Sequence, residues 1–102
     1  MAFTRAYLYA RQDQKTSHFA KALCHPARLT ILRKLYRDGP CTVESLTKLN
    51  HLSQPAVSQH LEILRKLGLV KYKEVFPYTF YQLNRRRFLE AKKQMKGYFD
   101  MV

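Results

Sequence analysis

Apolar residues recur every three or four positions along most of the chain, a spacing that predicts helices. The first predicted helix covers about Thr4–Leu23 and is interrupted near Ser17. It ends at Cys24-His25, because the residue before a proline is pushed out of the helical region. Pro26 suits the first position of a second helix, which runs to about Arg37.

The second helix is expected to bury one face. Three leucines and a tyrosine at helical spacing form that face: Leu29, Leu32, Leu35 and Tyr36. The cationic residues of this helix are expected to remain in solvent: Arg28, Arg33 and Lys34. Asp38-Gly39-Pro40 then forms a turn.

Two helices joined by a short turn come next. The shorter one spans Thr42–Asn50 and is capped by Thr42. One residue of the turn Asn50-His51 is expected in the left-handed conformation, which Asn and His adopt more readily than most residues. Ser53 caps a longer helix, Gln54–Leu67, whose core positions repeat at Val57, Leu61, Leu64 and Leu67.

Beyond Gly68, which is expected to cap the long helix, the pattern changes from helical spacing to alternation. Val70–Val75 and Thr79–Leu83 are rich in β-branched and aromatic residues, and their short connection predicts a hairpin. Asn84 caps a last helix that reaches about Met101, with an apolar face made of Phe88, Ala91, Met95, Phe99 and Val102. The order of elements predicts a mainly α fold with a small β-hairpin, a winged helix-turn-helix.

The composition describes a small and strongly basic protein. Its 102 residues favour one domain, and 19 Lys and Arg against 7 Asp and Glu give a net charge of +12. Such a charge favours an acidic partner, with nucleic acid the first candidate and an anionic membrane the second. A solvated cationic surface is the alternative. Without a membrane-spanning run or a signal-peptide pattern, the chain is expected in the cytoplasm with no membrane partner.

Three stretches of the chain resemble the ArsR-type winged-helix repressors. They are ALCHPARLTILRKL at 22–35, LSQPAVSQHLEILRKLGLV at 52–70 and YTFYQL at 78–83. With their spacers they cover roughly Phe19–Leu83. The resemblance implies a homodimeric repressor that binds a palindromic operator and is often released by an effector. We therefore expect a single DNA-binding domain over 1–102, with a core at about 19–83 and terminal helices at about 4–15 and 85–101 for dimerisation.

In this fold the first half of the helix 54–67 is expected to read the major groove of double-stranded DNA, because recognition helices meet base edges with their N-terminal residues. Gln54, Ser58 and Gln59 are the predicted base readers, since Gln pairs bidentately with adenine and Ser with several base edges. The other predicted DNA-binding residues are helix caps, neighbours on the helix and residues of the hairpin: Thr42, Ser53, Pro55, His60, Arg65, Lys71, Lys73 and Tyr78.

Several of these residues have a second interpretation. Thr42 and Ser53 are also ordinary helix caps, and the polar helix face also suits plain solvation. His60 is expected either to contact a phosphate or to pack against the hairpin. Glu62 should repel phosphate unless it pairs with Lys66 four residues on.

The expected hairpin tip, Phe76-Pro77-Tyr78, is apolar and has no arginine to place in a minor groove. Either Tyr78 donates its hydroxyl to a phosphate or the tip aromatics pack on a neighbouring helix. The run Arg85–Arg87 is either a solvated helix face or flanks the DNA.

The terminal helices carry apolar residues that a small core cannot fully absorb. The predicted dimer interface consists of Phe3, Tyr7, Phe88, Met95, Phe99 and Val102. Packing of these residues within one monomer is the alternative. A two-fold dimer would place two recognition helices about 34–36 Å apart, one turn of DNA.

No metal site or cofactor is predicted, and the effector stays open between an organic ligand, a partner protein and none. The family often binds metal through Cys-x-Cys at the start of the third helix, but Cys41-Thr42-Val43 holds one thiolate, too few for a tetrahedral site. Cys24 is expected to be a small buried residue. A site built from His18, Cys24, His25 and Cys41, and a redox switch between the two cysteines with thiol pKa values lowered at helix starts, are the weaker alternatives.

The sequence also separates the function classes. It carries no glycine-rich phosphate loop, no paired acid–base carboxylates and no Ser/His/Asp arrangement, so no catalytic residues are predicted and the protein is not expected to be an enzyme. The alternative to a duplex-DNA regulator is a winged-helix module that binds RNA or a protein partner.

Overall fold

The computed structural model describes residues 9–102, so the predicted interface residues Phe3 and Tyr7 lie outside the described part of the chain. The described elements follow one another as α1 (Arg11–Ala20), a short 3-10 helix (Lys21–Leu23), α2 (Pro26–Asp38), β1 (Cys41–Thr42), α3 (Val43–Asn50), α4 (Gln54–Lys66), β2 (Val70–Val75), β3 (Tyr78–Leu83) and α5 (Arg85–Met101). This order confirms the predicted winged helix-turn-helix.

The helix boundaries confirm most of the local signals. His25 caps α2 by accepting a hydrogen bond from the Ala27 amide at its Nδ1 (3.0 Å), and Asn84 caps α5 by accepting one from the Arg87 amide (3.2 Å). Gly68 has a φ of 81°, and the Leu69 amide donates to the Leu64 carbonyl (3.0 Å). The chain therefore leaves α4 through a left-handed glycine, the conformation for which glycine has no steric cost.

The sheet has one strand more than the predicted hairpin. Its three strands are antiparallel in the order β1-β3-β2, with Cys41 opposite Tyr81 and Val70 opposite Leu83. A two-residue strand such as β1 is too short to show alternation, and only its pairing with β3 makes it a strand. This third strand ties the start of α3 to the hairpin.

The core lies where α2, α3 and α4 meet the base of the sheet. Its fully buried side chains come from the three helices and from the residue before β2, and they are Ile31, Leu35, Leu46, Val57, Leu61, Leu64 and Leu69. Burying each of these side chains contributes about 1.5–3 kcal/mol to folding. The core thus fixes α4 from one side along most of its length.

Two predictions for the first half of the chain are wrong. The helix α1 continues through Ser17, and the break comes later, at the 3-10 helix. In α2, Leu29 and Tyr36 are 39% and 55% exposed, whereas Arg28 is only 9% exposed. The face that α3, α4 and β3 cover is centred on Ile31 and Leu35, and Leu29 and Tyr36, seven positions apart, share a neighbouring face. Within the described residues, no helix is long and apolar enough to cross a membrane.

Candidate nucleic-acid interface

The helix-turn-helix is formed by α3, a three-residue connection and α4. Thr42 caps α3 by accepting a hydrogen bond from the Ser45 amide (3.3 Å). His51 takes the left-handed conformation with a φ of 55°, as predicted for one residue of this turn. Ser53 caps α4 by accepting a hydrogen bond from the Ala56 amide (3.3 Å). These local bonds set the direction in which α4 leaves the turn.

The two faces of α4 differ sharply. Val57, Leu61 and Leu64 are completely buried, as predicted. On the other side, Gln54, Pro55 and Gln59 are exposed and Ser58 is half-buried. Across residues 9–102 the side chains of Gln54, Ser58 and Gln59 form no hydrogen bond. The structure thus brings the predicted base readers together on the first turns of a helix that is held rigidly from behind.

The two capping hydroxyls keep a free proton. Thr42 and Ser53 each accept a hydrogen bond from their own helix, so the capping role that sequence suggested is present. A hydroxyl that accepts a bond still has its O–H to donate. Ser53 is exposed, and Thr42 is half-buried. Both are therefore able to donate to an anion without giving up their caps.

His60 packs against the start of α2 rather than against the hairpin. Its ring centroid lies 4.3 Å from that of His25, and its Nδ1 accepts a hydrogen bond from Arg28 Nε (3.2 Å). Burial lowers the pKa of His60 below its usual 6.5, and the charges of His25 and Arg28 lower it further. The imidazole is therefore held neutral, with its remaining proton on Nε2.

Arg28 is the residue of this region that sequence reasoning missed. Besides His60, its guanidinium donates to the Lys21 carbonyl and to Cys24 Sγ, the latter at 3.1 Å. A buried arginine is stable only when its buried donors are paired, and here Nε and Nη1 both have partners. The sequence gives little indication that Arg28 is buried, because an arginine beside leucines on a basic helix normally points to solvent.

Glu62 pairs with Arg65 and not with Lys66, which corrects the predicted partner. Arg65 Nε and Nη2 donate to the two carboxylate oxygens of Glu62 at 2.9 and 2.6 Å. The hydrogen bond from Arg65 lowers the pKa of Glu62, and the positive charges of Arg65 and Lys66 act in the same direction. Arg65, a predicted phosphate contact, is thus engaged by a neighbour that offsets its charge.

The hairpin of β2 and β3, called the wing below, projects from the core. Val70 and Leu83 at its base are buried, whereas every β2 residue after Val70 is exposed, including the predicted phosphate contacts Lys71 and Lys73. Among the described residues neither lysine has an ion-pair partner.

The wing tip comprises residues 75–78, and its side chains point away from the rest of the fold. Phe76 is 97% exposed, and Tyr78 is 53% exposed with its ring edge against Phe80. Within residues 9–102, Phe76 therefore does not pack on a neighbouring helix, and the ring contact of Tyr78 is with the next strand.

The run at the start of α5 is only partly a solvated face. Arg85 donates to the Tyr36 carbonyl (2.9 Å) and lies over the Tyr36 ring. Arg87 pairs with Glu90 (2.9 Å) and lies over the ring of Phe19. In the described part of the chain, Arg86 alone of the three has no such partner.

The terminal helices α1 and α5 pack on each other. Gln94 Nε2 donates to the Gln12 carbonyl (3.2 Å) and to Thr16 Oγ1 (3.0 Å), and a groove of about 810 Å³ runs between the helices. Of the predicted interface residues on α5, Phe88 and Met95 pack against the core of the same chain. The other two remain open, with Phe99 72% and Val102 77% exposed.

The cysteines differ from their predicted roles. Both are free thiols, but Cys24 is exposed and Cys41 is the buried one. Burial raises the pKa of Cys41, the opposite of the lowering suggested for a thiol at a helix start. Among residues 9–102, no three His, Cys, Asp or Glu side chains come close enough to hold a metal ion.

Residues 25–72 match the model of the family described as "Bacterial regulatory protein, arsR family". An uncharacterized HTH-type transcriptional regulator of Methanocaldococcus jannaschii is 34% identical over 70 residues, which cover 69% of this chain and 79% of that protein. A transcriptional repressor SmtB homolog of Synechocystis is 38% identical over 72 residues, covering 71% of this chain and 54% of the relative. The chain therefore spans only about half the length of this second relative.

Solved structures show the same fold. HlyU from Vibrio cholerae superposes with a TM-score of 0.70 at 31% identity, over 92% of this chain and 98% of that one. A Mycobacterium bovis protein, described as a homodimeric winged helix-turn-helix DNA-binding domain, has a TM-score of 0.66 at 21% identity over 91% of each chain. At this lower identity the second likeness concerns the fold alone.

Proposed function

The chain belongs to the ArsR family of bacterial regulatory proteins, and we propose that it is a dimeric repressor that reads the major groove of duplex DNA with the first half of α4. Proteins of this family are transcriptional regulators and not enzymes. The observation that carries the proposal is the cluster of Gln54, Ser58 and Gln59, which is unpartnered within residues 9–102 and lies on a helix whose opposite face is fully buried.

The residues divide into base readers and phosphate contacts. Gln54, Ser58 and Gln59 offer donors and acceptors to base edges, with Pro55 beside them at the leading end of α4. Phosphate contacts come from residues around this end and along the wing: Thr42, Ser53, Arg65, Lys71, Lys73 and Tyr78. His60 acts indirectly, since its contacts with His25 and Arg28 fix the side of α4 next to Gln59.

Dimerisation is supported by the far end of α5. Phe99 and Val102 are exposed together with Met101, an apolar surface that water disfavours. The similar Mycobacterium bovis domain is described as homodimeric. A two-fold dimer through α1 and α5 presents two copies of α4 to successive major-groove segments, about 34–36 Å apart.

The test uses the duplex that the full chain enriches from a random-sequence library, called the selected duplex below, and a scrambled duplex of equal length. Gln54→Ala/Gln59→Ala is expected to lower affinity for the selected duplex by about 2–6 kcal/mol, since each bidentate base contact contributes about 1–3 kcal/mol of discrimination. Affinity for the scrambled duplex should stay the same, because no phosphate contact is removed. Equal affinity of variant and wild type for the selected duplex would contradict the assignment.

Lys73→Ala is the complementary variant. It is expected to weaken binding to both duplexes by the same factor. The slope of log affinity against log salt concentration should become shallower by about 0.9, the effect of one lost phosphate contact. Competition with structured RNA completes the test. If such RNA displaces the selected duplex at lower concentration than unlabelled duplex does, the protein is an RNA-binding module instead.

A further inference from the structure

The wing tip is an apolar surface with no packing partner. Val75 and Tyr78 are each about half exposed (49% and 53%), and Phe76 between them is 97% exposed. An aromatic ring is normally among the most buried side chains of a small domain. A phenylalanine in full contact with water at the end of a hairpin points to a surface that is covered only in a complex.

The wing holds this tip away from the body of the molecule. β1 pairs with β3 only as far as Phe80, which lies opposite Lys73, so the hairpin runs without a third strand from there to Phe76, about three residues or about 10 Å at 3.3 Å each. The six backbone pairs between β2 and β3, from Val70 opposite Leu83 to Val75 opposite Tyr78, stiffen the hairpin. Phe76 is thus carried on a stiff projection and not on a loose loop.

Charge identifies the kind of partner. Lys71 and Lys73 are exposed on the same strand, and neither has an ion-pair partner within the described chain. Exposed Glu74 lies nearer the tip, but strand alternation places it on the other face of β2 from Lys71, Lys73 and Val75. Two free cations on the strand face of Val75 fit a polyanion that also offers flat apolar surfaces. Duplex DNA has this chemistry, with phosphates along its grooves and stacked bases between them.

We propose that Phe76 is a wedge that enters the minor groove beside the segment read by α4, partly unstacks one base step and bends the DNA. This inference rests on the proposed function, because α4 must first place the wing along the duplex. Apolar side chains that insert between base steps kink DNA by about 20–90° in other minor-groove contacts. Lys71 and Lys73 hold the flanking phosphates, and Tyr78 lies on the opposite strand of the wing at the groove entrance.

The experiment measures affinity and bending on the selected duplex, labelled at both ends for Förster transfer. Phe76→Ala is expected to bind the selected duplex without bending it and with about tenfold lower affinity. The slope of log affinity against log salt concentration should equal that of the wild type, because no cation has been removed. Phe76→Leu, which keeps an apolar wedge, should retain most of the bend. Leu29→Ala is the matched control, since it truncates an exposed apolar residue on α2. Circular dichroism verifies that each variant is folded.

The outcomes separate the wedge from the DNA-binding proposal. One outcome is that Phe76→Ala bends and binds the selected duplex as the wild type does while Gln54→Ala/Gln59→Ala no longer binds that duplex. In that case the wedge is wrong and the major-groove assignment stands. If the full chain enriches no duplex at all, the proposed function fails first. If the wild type binds phosphatidylglycerol vesicles and Phe76→Ala does not, while both bend DNA equally, the tip contacts a membrane surface. That result would overturn the wedge.

Discussion

At the scale of single residues, Arg28 and His60 connect the helix proposed to read DNA to the body of the protein. Arg28 is nearly buried and binds the Lys21 carbonyl, Cys24 Sγ and His60 Nδ1 at once. His60 lies next to Gln59, so the guanidinium acts on the orientation of α4 one residue away from a proposed base reader. This contact requires a neutral His60, because a protonated Nδ1 cannot accept a hydrogen bond.

Stability is therefore expected to depend on the pH through His60. Because its pKa in the folded chain lies below 6.5, the unfolded chain binds more protons between these two pKa values. The free energy of unfolding is at its full value well above pH 6.5 and falls as the pH drops below it. Urea unfolding at pH 7.5 and pH 5.5 should show this loss, and His60→Gln, whose amide oxygen accepts from Arg28, should show a smaller one.

His18 is expected to contribute to the same pH dependence. Its pKa is lowered by burial and by the nearby charges of Lys21 and Arg87. His18→Gln should therefore also reduce the loss of stability between pH 7.5 and pH 5.5. If His60→Gln loses as much stability between the two pH values as the wild type does, the pKa of His60 is not lowered in the folded chain.

At the scale of the element, α4 combines a rigid apolar face, a polar leading end and one acidic residue. The ion pair between Glu62 and Arg65 lies past the first turns, on the side of α4 toward the wing, where both charges act on Tyr81. It reduces the positive charge that α4 offers to the DNA backbone. Only the first half of the helix is thus free to meet base edges without a competing internal bond.

Glu62→Gln is expected to strengthen DNA binding. The change removes a negative charge near phosphate and releases Arg65, so affinity for both the selected and the scrambled duplex should rise severalfold. The log–log salt slope should steepen by up to about 0.9, the effect of one additional phosphate contact. Glu90→Gln, which breaks the corresponding pair with Arg87 on α5, is the control and should leave the slope unchanged. Equal slopes in all three proteins would place Arg65 away from the phosphates.

At the scale of the whole molecule, one body presents three surfaces with different chemistry. The leading end of α4 is polar, the wing is cationic with an apolar tip, and the end of α5 is apolar. The bonds from Gln94 to α1 hold α5 along the body, so its exposed end projects past the core. This arrangement suits a dimer in which α5 pairs with its partner while α4 and the wing remain available to DNA.

Phe99→Asp is expected to weaken dimerisation by about tenfold or more, since an unpaired carboxylate is costly to bury. Sedimentation velocity at micromolar concentration gives the dimer fraction. Titrations of two selected duplexes, one with a single half-site and one with two, give the consequence for binding. The variant should lose affinity for two half-sites and keep it for one. Leu29→Asp makes the same change on α2 and should remain dimeric. A dimer fraction unaffected by Phe99→Asp would place the interface elsewhere.

The sequence by itself determined the features that depend on neighbours along the chain. The caps at Thr42, Ser53 and Asn84, a left-handed residue within the turn Asn50-His51 and the glycine stop at Gly68 depend on bonds and conformations that span a few residues. The buried face of α4 follows from helical spacing alone. Together they sufficed to predict the winged helix-turn-helix and to place Gln54, Ser58 and Gln59 on the polar face of α4.

Only the tertiary structure decided which residues from distant segments meet. The burial of Arg28 and the pairing of His25 with His60 depend on how α2 crosses α4, about 32 positions apart in the chain. The strand β1 exists only because β3 lies beside it, and Cys41 is buried for the same reason. Phe76 is exposed because no part of the described chain covers the wing tip, which is a property of the tertiary arrangement that no local pattern encodes.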